Sequence, residues 1–247
     1  MRGIYSEGKN IKRYLKNKVR FTLGLVITYL MTGLVSFSNP IENNEDKVLN
    51  STETGFSIFG DKFINNGIIG GIEGGTNFTG INGFSNSEVI NGITGKINFI
   101  GDYSLGINVS DSKVLNDGEI SIYGRNVVGI SLANSSGVNN GVIKTDGIGG
   151  MGVLALQNST FTNNGTIEVL GESLNNNNIT SGIDAQGKAR VENNGTIKTV
   201  GWAAFGMRSN GVAVNGIDGK IITSGTNGNG MYSQRDAKTD EGIIVNL

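Results

Sequence analysis

One spacing constrains this chain more than any single residue does. The stretch Val191–Met207, VENNGTIKTVGWAAFGM, carries it: Gly-x-Ile, three residues, Gly, four residues, Gly, then an apolar residue. The fixed positions are Gly195, Ile197, Gly201, Gly206 and Met207. Copies start at Gly95 and Ile97, Gly118 and Ile120, Gly141 and Ile143, Gly165 and Ile167, and Gly219 and Ile221. The leading glycines are 23, 23, 24, 30 and 24 residues apart, and the step of 30 is a step of 24 with six residues added. A period this regular predicts a solenoid, in which each repeat buries its apolar face only against its neighbours.

Each copy divides into three short pieces. Gly118-Glu-Ile-Ser-Ile-Tyr alternates apolar and polar residues with the period of a strand. A second piece follows the third glycine, as in Ile130-Ser131-Leu132, and a third precedes the Asn-Gly pair, as in Val191-Glu192-Asn193. Glycines and Asn-Gly pairs between them suit tight turns with positive φ. The pattern predicts an all-β, right-handed parallel β-helix with three strands per coil of 23–24 residues. An antiparallel barrel competes, but hairpins would not preserve three-piece coils of constant length. Ile197 is expected to face inward, between Ile167 and Ile221. Asn65, Asn116, Asn139, Asn163 and Asn193 align, and an amide that both donates and accepts can pair along a stack. Tolerance of turn geometry is the simpler account of those asparagines. Thr94 and Ile217–Asp218 interrupt the column in this alignment.

The ends read differently. Residues 1–20 hold seven Lys/Arg and one acid, and Phe21–Val35 is apolar apart from Thr and Tyr. Ser36-Phe37-Ser38 then offers the small residues that a signal peptidase reads. Residues 1–38 are expected to be an extended signal peptide with a helical apolar core, cleaved between Ser38 and Asn39. An uncleaved membrane anchor is the alternative. Residues 39–62 read as a polar, mobile leader and 63–94 as an atypical capping coil. In that coil Glu73 occupies a glycine position, and Gly70, Gly71, Gly74, Gly75 and Gly80 loosen the spacing. Residues 95–247 read as the β-helix repeats, the last coil incomplete: Gly242-Ile243-Ile244 reads as the start of another Gly-x-Ile piece. The chain is therefore expected to be part of a longer protein.

Composition narrows the chemistry. There is no histidine or cysteine, which excludes Ser-His-Asp and Cys-His nucleophile systems, disulfides and thiolate metal sites. Outside the basic front, 13 bases meet 20 acids, so nucleic acid is not an expected partner. Gly147-Ile-Gly-Gly-Met-Gly152 fits a dinucleotide-binding pattern, but a strand-like segment follows where a helix is needed. The calcium nonapeptide is absent, since Leu154 stands at its Asp position. Arg190 beside Asp184 and Glu192 is the one cluster that could resemble the acid-and-base groove of a polysaccharide lyase. Solvated strand faces are the simpler account of those charges. Asn-x-Ser/Thr sequons at Asn77, Asn108, Asn164 and Asn194 follow from composition. The six added residues lie within Glu172–Ser181, ESLNNNNITS, and Asn175, Asn176, Asn177 and Asn178 form a possible binding loop, because additions to a solenoid collect on one face. No catalytic residue, cofactor or metal is expected.

Two features carry a family resemblance. The basic-then-apolar front, Ile11–Gly33, and the repeated Asn-Asn-Gly-Thr-Ile at Asn163–Ile167 and Asn193–Ile197 resemble the amino-terminal part of fusobacterial-type autotransporter (type V secretion) passengers. The resemblance implies export, display at the outer membrane and adhesion to host cells, matrix or other bacteria. It also implies a carboxy-terminal translocator barrel, of which this sequence has no segment. Three functions are carried forward: a non-enzymatic adhesin, a structural spacer, and a β-helical polysaccharide-degrading enzyme.

Overall fold

The computed structural model describes residues 39–174, 178–234 and 242–247. The expected signal segment, Ser38 of the expected cleavage pair, and Asn175, Asn176 and Asn177 lie outside the described residues. What is described is an all-β parallel solenoid with three strands per coil and no helix. One coil runs Lys113–Asn116, Glu119–Tyr123, Val128–Ala133, and its three strands belong to three different sheets. The first, second and third sheets hold nine, eight and eight strands, so about eight coils are complete. Every strand pairs with the strand one coil away, in parallel.

The isoleucine column is the core of the second sheet. Ile69, Ile97, Ile120, Ile143, Ile167, Ile197 and Ile221 are consecutive partners. All but Ile221 are fully buried, so each contributes about 1.5–3 kcal/mol by area removed from water. Ile197 sits between Ile167 and Ile221, as its place in the repeat requires.

The third glycine of each repeat fits against that column. A Cβ on Gly182 would stand 2.4 Å from Ile197 Cγ2 and 2.5 Å from the Gly206 carbonyl oxygen. The same meeting recurs at Gly106, Gly129, Gly152 and Gly206. None of these glycines has positive φ. Glycine is therefore required there by close approach between coils, which corrects the expectation that turn geometry explains it. Positive φ falls on other corner residues, among them Tyr103, Asn126, Asn134 and Ala203.

The asparagine column is longer than the sequence alignment suggests. Asn43, Asn65, Asn91, Asn116, Asn139, Asn163, Asn193, Asn215 and Asn246 form one unbroken ladder. Each Nδ2 donates to the next Oδ1 at 2.7–2.8 Å. Thr94 and Ile217–Asp218 do not interrupt it. They sit in connections two residues longer, Asn91-Gly-Ile-Thr-Gly95 and Asn215-Gly-Ile-Asp-Gly219, whose isoleucines point to solvent. A second column, of serine, closes the corner between the third and first sheets. The amides of Ser87, Ser112 and Ser135 donate to Oγ of Ser112, Ser135 and Ser159 at 3.1–3.2 Å.

Three expectations for the ends change. The polar stretch 39–62 is not a leader: Ile41–Asn43, Lys47–Leu49 and Thr54–Phe59 are strands of the first coil, paired with the second. Backbone pairing does not need an apolar composition, and Lys47 at the isoleucine position lays its ammonium 5.2 Å from the Phe56 ring. In 63–94 the extra glycines make room rather than loosen. A Cβ on Gly71 or Gly75 would strike the ring of Phe78, which is fully buried and stacks on Phe99 at 5.2 Å. Finally, Ile243–Asn246 belongs to the first sheet and not the second: Ile244 pairs with Ala213 and Asn246 joins the asparagine ladder.

Candidate functional site

Residues that recur in every coil are spent on the interior and the corners, so a site has to be sought where one coil departs from the others. The departure is the long connection after Gly171. Both of its flanks are tied down. The Ser173 amide donates to the Trp202 carbonyl at 2.9 Å, and Ser173 Oγ donates to the Ala203 carbonyl at 3.0 Å. The Thr180 amide donates to Ser173 Oγ at 2.9 Å, and Thr180 Oγ1 to the Glu172 carbonyl at 2.7 Å. From the preceding coil, the Gly149 amide reaches Thr180 Oγ1 at 3.1 Å. The stem of the connection is thus fixed to the coils on both sides.

Its effect shows on the third sheet. In Met151–Leu156 the outward residues Met151, Leu154 and Leu156 are half-buried. In the next strand, Ser181–Ala185, all five residues are buried. The outward carboxylate there, Asp184, has a side chain only 1% exposed. An isolated buried carboxylate would cost several kcal/mol. Asp184 is instead held by Arg208 in a two-point pair, Nε to Oδ1 at 3.2 Å and Nη2 to Oδ2 at 2.9 Å, and by Gln186 Nε2 at 3.0 Å. Arg208 is one coil further on, directly paired with Asp184 across the sheet.

Beside this pair lies a recess of about 200 Å³. It is lined by Leu174 and Ile179 from the long connection and by Trp202, Phe205, Arg208 and Tyr232. Phe205 and Tyr232 meet with centroids 5.2 Å apart, tilted by 45°. Trp202, Tyr232 and Leu174 are 45%, 41% and 48% exposed, so large apolar surfaces face solvent at one spot. Trp202 is the sole tryptophan of the chain.

The sequence-derived candidates divide accordingly. Of the possible binding loop, Asn178 is within the described residues, with its Cα 3.3 Å from where a Cβ on Gly149 would stand. The Arg190 cluster is not assembled. Arg190 and Glu192 face outward on the first sheet, whereas Asp184 is on the third and is bound to Arg208. Sequence reasoning missed Arg208, although a separation of 24 residues, one coil, marks Asp184 and Arg208 as neighbours. Gly147 and Gly152 take their places in the glycine columns.

Two further surfaces are less specialised. A polar groove of about 550 Å³ follows the corner past Asn86, Asp111, Asn134 and Asn158, with Glu88 and Lys113 on its rim. On the second sheet Glu168 bonds Lys198 at 2.8 Å and approaches Lys144 at 3.6 Å. The Lys198 hydrogen bond, aided by the charge of both lysines, holds the Glu168 carboxyl below its ordinary range. Among the described residues, no group of three or more Asp, Glu, His or Cys is placed to hold a metal ion.

No known protein family matches this chain, and no curated protein or solved structure resembles it closely enough to be matched.

Proposed function

We propose that this chain is the passenger region of an exported, surface-displayed autotransporter, acting as a non-enzymatic adhesin or scaffold. One observation carries the reading: the repeated Asn, Ile, Gly and Ser residues are committed to stacking, while the residues that vary between coils face outward on three sheets. A body of that kind is a rigid rod that presents variable side chains along its length. The basic-then-apolar front of residues 1–38 supplies the route, as a signal peptide cleaved between Ser38 and Asn39. A right-handed coil is part of this reading, since crossover connections between parallel strands of one sheet favour that hand.

The test is expression of the whole gene product in a Gram-negative host. The expected outcome is a passenger open to protease on intact cells, beginning at Asn39, with adherence to host cells or matrix lost on deletion of residues 63–247. Retention inside the cell with residue 1 intact would end the export reading. Unchanged adherence on deletion would leave only the spacer function.

A further inference from the structure

We propose that the recess between Trp202, Tyr232 and Leu174 binds a neutral saccharide, one pyranose ring packing its C–H face on the exposed indole. The inference deepens the adhesin reading and rests on it for the setting in which ligand is met. The argument starts from exposure. Trp202, Tyr232 and Leu174 are each more than two-fifths exposed and converge with Phe205 on one recess. Single exposed apolar residues are ordinary, but convergent aromatic surface around a polar group marks a small-ligand site.

The polar group sets the ligand class. Arg208 lines the recess, and its Nε and Nη2 are held by Asp184. None of these bonds uses Nη1, which keeps donors for an acceptor in the recess. Asp184 pairs with the guanidinium at two points, so the pair offers hydrogen-bond donors to the recess rather than a net charge. An anionic ligand would gain little attraction, because Asp184 already balances the charge of the guanidinium. A ring with one hydrophobic face and hydroxyl or carbonyl acceptors at its edge fits both features: indole and phenol against the face, Arg208 against the edge. The volume of about 200 Å³ admits one such ring. Asp184, itself bonded by Gln186, holds Arg208 in place before ligand arrives, which lowers the ordering cost of binding.

The chain carries its own reporter. Trp202 is the only tryptophan, so intrinsic emission of the purified full chain reads this recess alone. The probes are lactose, cellotriose and chitotriose as neutral saccharides, with a glucuronate oligosaccharide as the acidic comparator. The expected result is a saturable change in Trp202 emission with at least one neutral probe, unaltered between 0.05 and about 0.5 M salt, a range over which charge pairing is screened. Tyr232→Ala keeps the reporter and should weaken binding several-fold. Trp202→Ala, followed by calorimetry, should weaken it about tenfold or more, as expected for an aromatic anchor cut to a methyl. Far-ultraviolet dichroism identical to wild type shows that both variants are folded, since both side chains are on the surface. The proposal is overturned if no neutral probe changes the emission, if only the glucuronate probe does so and salt abolishes it, or if the folded variants bind like wild type. Binding by the purified chain without surface display would sink the display reading and leave the site. Display with no response to any neutral probe would sink the site and leave the display reading.

Discussion

Asn139 and Asn140 are adjacent in the chain and offer a matched pair of perturbations. Each is in an amide row along the stack. Asn139 accepts from Asn116 at 2.7 Å and donates to Asn163 at 2.7 Å, fully buried. Asn140 donates to Asp117 at 2.8 Å and accepts from Asn164 at 2.9 Å, in contact with water. Asn139→Ala removes the two ladder bonds, about 1 kcal/mol each, along with a longer and weaker contact to the Gly141 carbonyl. It also strands the Asn163 oxygen, at about 1–3 kcal/mol. The Asn116 amide keeps weaker contacts to the Gly118 and Val142 carbonyls at 3.3 and 3.4 Å, so its share of the loss is small. The expected destabilisation is about 3–5 kcal/mol on these figures, concentrated in the coils on either side of position 139. In Asn140→Ala, water replaces both partners, and the change should stay within about 0.5 kcal/mol. Amide hydrogen exchange is the suitable assay, because a stack of coils need not unfold in two states. Protection of Val142, Ile143 and Ile167 should fall sharply in the first variant and hardly in the second. Equal effects would refute the claim that burial of the amide row, rather than the presence of asparagine, holds the coils in register.

Other outcomes follow from the same structure. Ile197→Asp places an unpaired carboxylate between Ile167 and Ile221 and should cost several kcal/mol, read as new protease cleavage around that coil. Wild-type protease resistance would remove the isoleucine column from the core. Gly182→Ala drives a methyl against Ile197 and the Gly206 carbonyl and should cost about 1–3 kcal/mol or more, whereas Gly70→Ala, with only the Asn98 carbonyl at 3.6 Å, should be tolerated. Urea midpoints for the two variants decide, and equal midpoints would contradict the close-approach account. The Glu168 carboxyl titrates below its ordinary value of 4.5, so its ion pairs stabilise the fold above that pH. That contribution disappears as pH falls through the lowered folded-state value. Glu168→Gln should therefore flatten the acid limb of a stability-versus-pH curve, and an unchanged limb would show that the lysine pairs do not contribute.

The parts of the fold that were legible in the sequence are those that repeat at fixed distance. Ile120, Ile143 and Ile197 lie at the same offset from their glycines, and a constant offset in a stack means direct contact. Alignment on glycine hid Asn91 and Asn215, because their connections to Gly95 and Gly219 are two residues longer. The two connections share Asn-Gly-Ile, and that likeness was the available signal. The first coil was illegible because Asn43 and Lys47 lack the Gly-x-Ile frame, while backbone pairing carries the fold regardless. Gly71 and Gly75 could not be explained without knowing that Phe78 turns inward. The recess required tertiary placement: Leu174, Trp202 and Tyr232 come from three successive coils, and no spacing rule names them together.

The two amide rows have direction as well as strength. In the buried row the N–H of each residue points toward the higher-numbered coil, and the orientation is fixed because Asn139 Nδ2 also meets the Gly141 carbonyl at 3.3 Å, where an oxygen would be repelled. In the exposed row the order runs the other way, from Asn164 to Asn140 to Asp117. Asp117 settles it, since an ionised carboxylate can only accept. Two chains of aligned dipoles therefore lie side by side at one corner with opposite vectors. Each polarises its own members in sequence, while their fields oppose each other at a distance. The opposition spans the coils of Asp117, Asn140 and Asn164, with a separate pair at Asn66 and Asn44, whereas the buried row runs on through nine residues, so its axial field is offset over part of its length only.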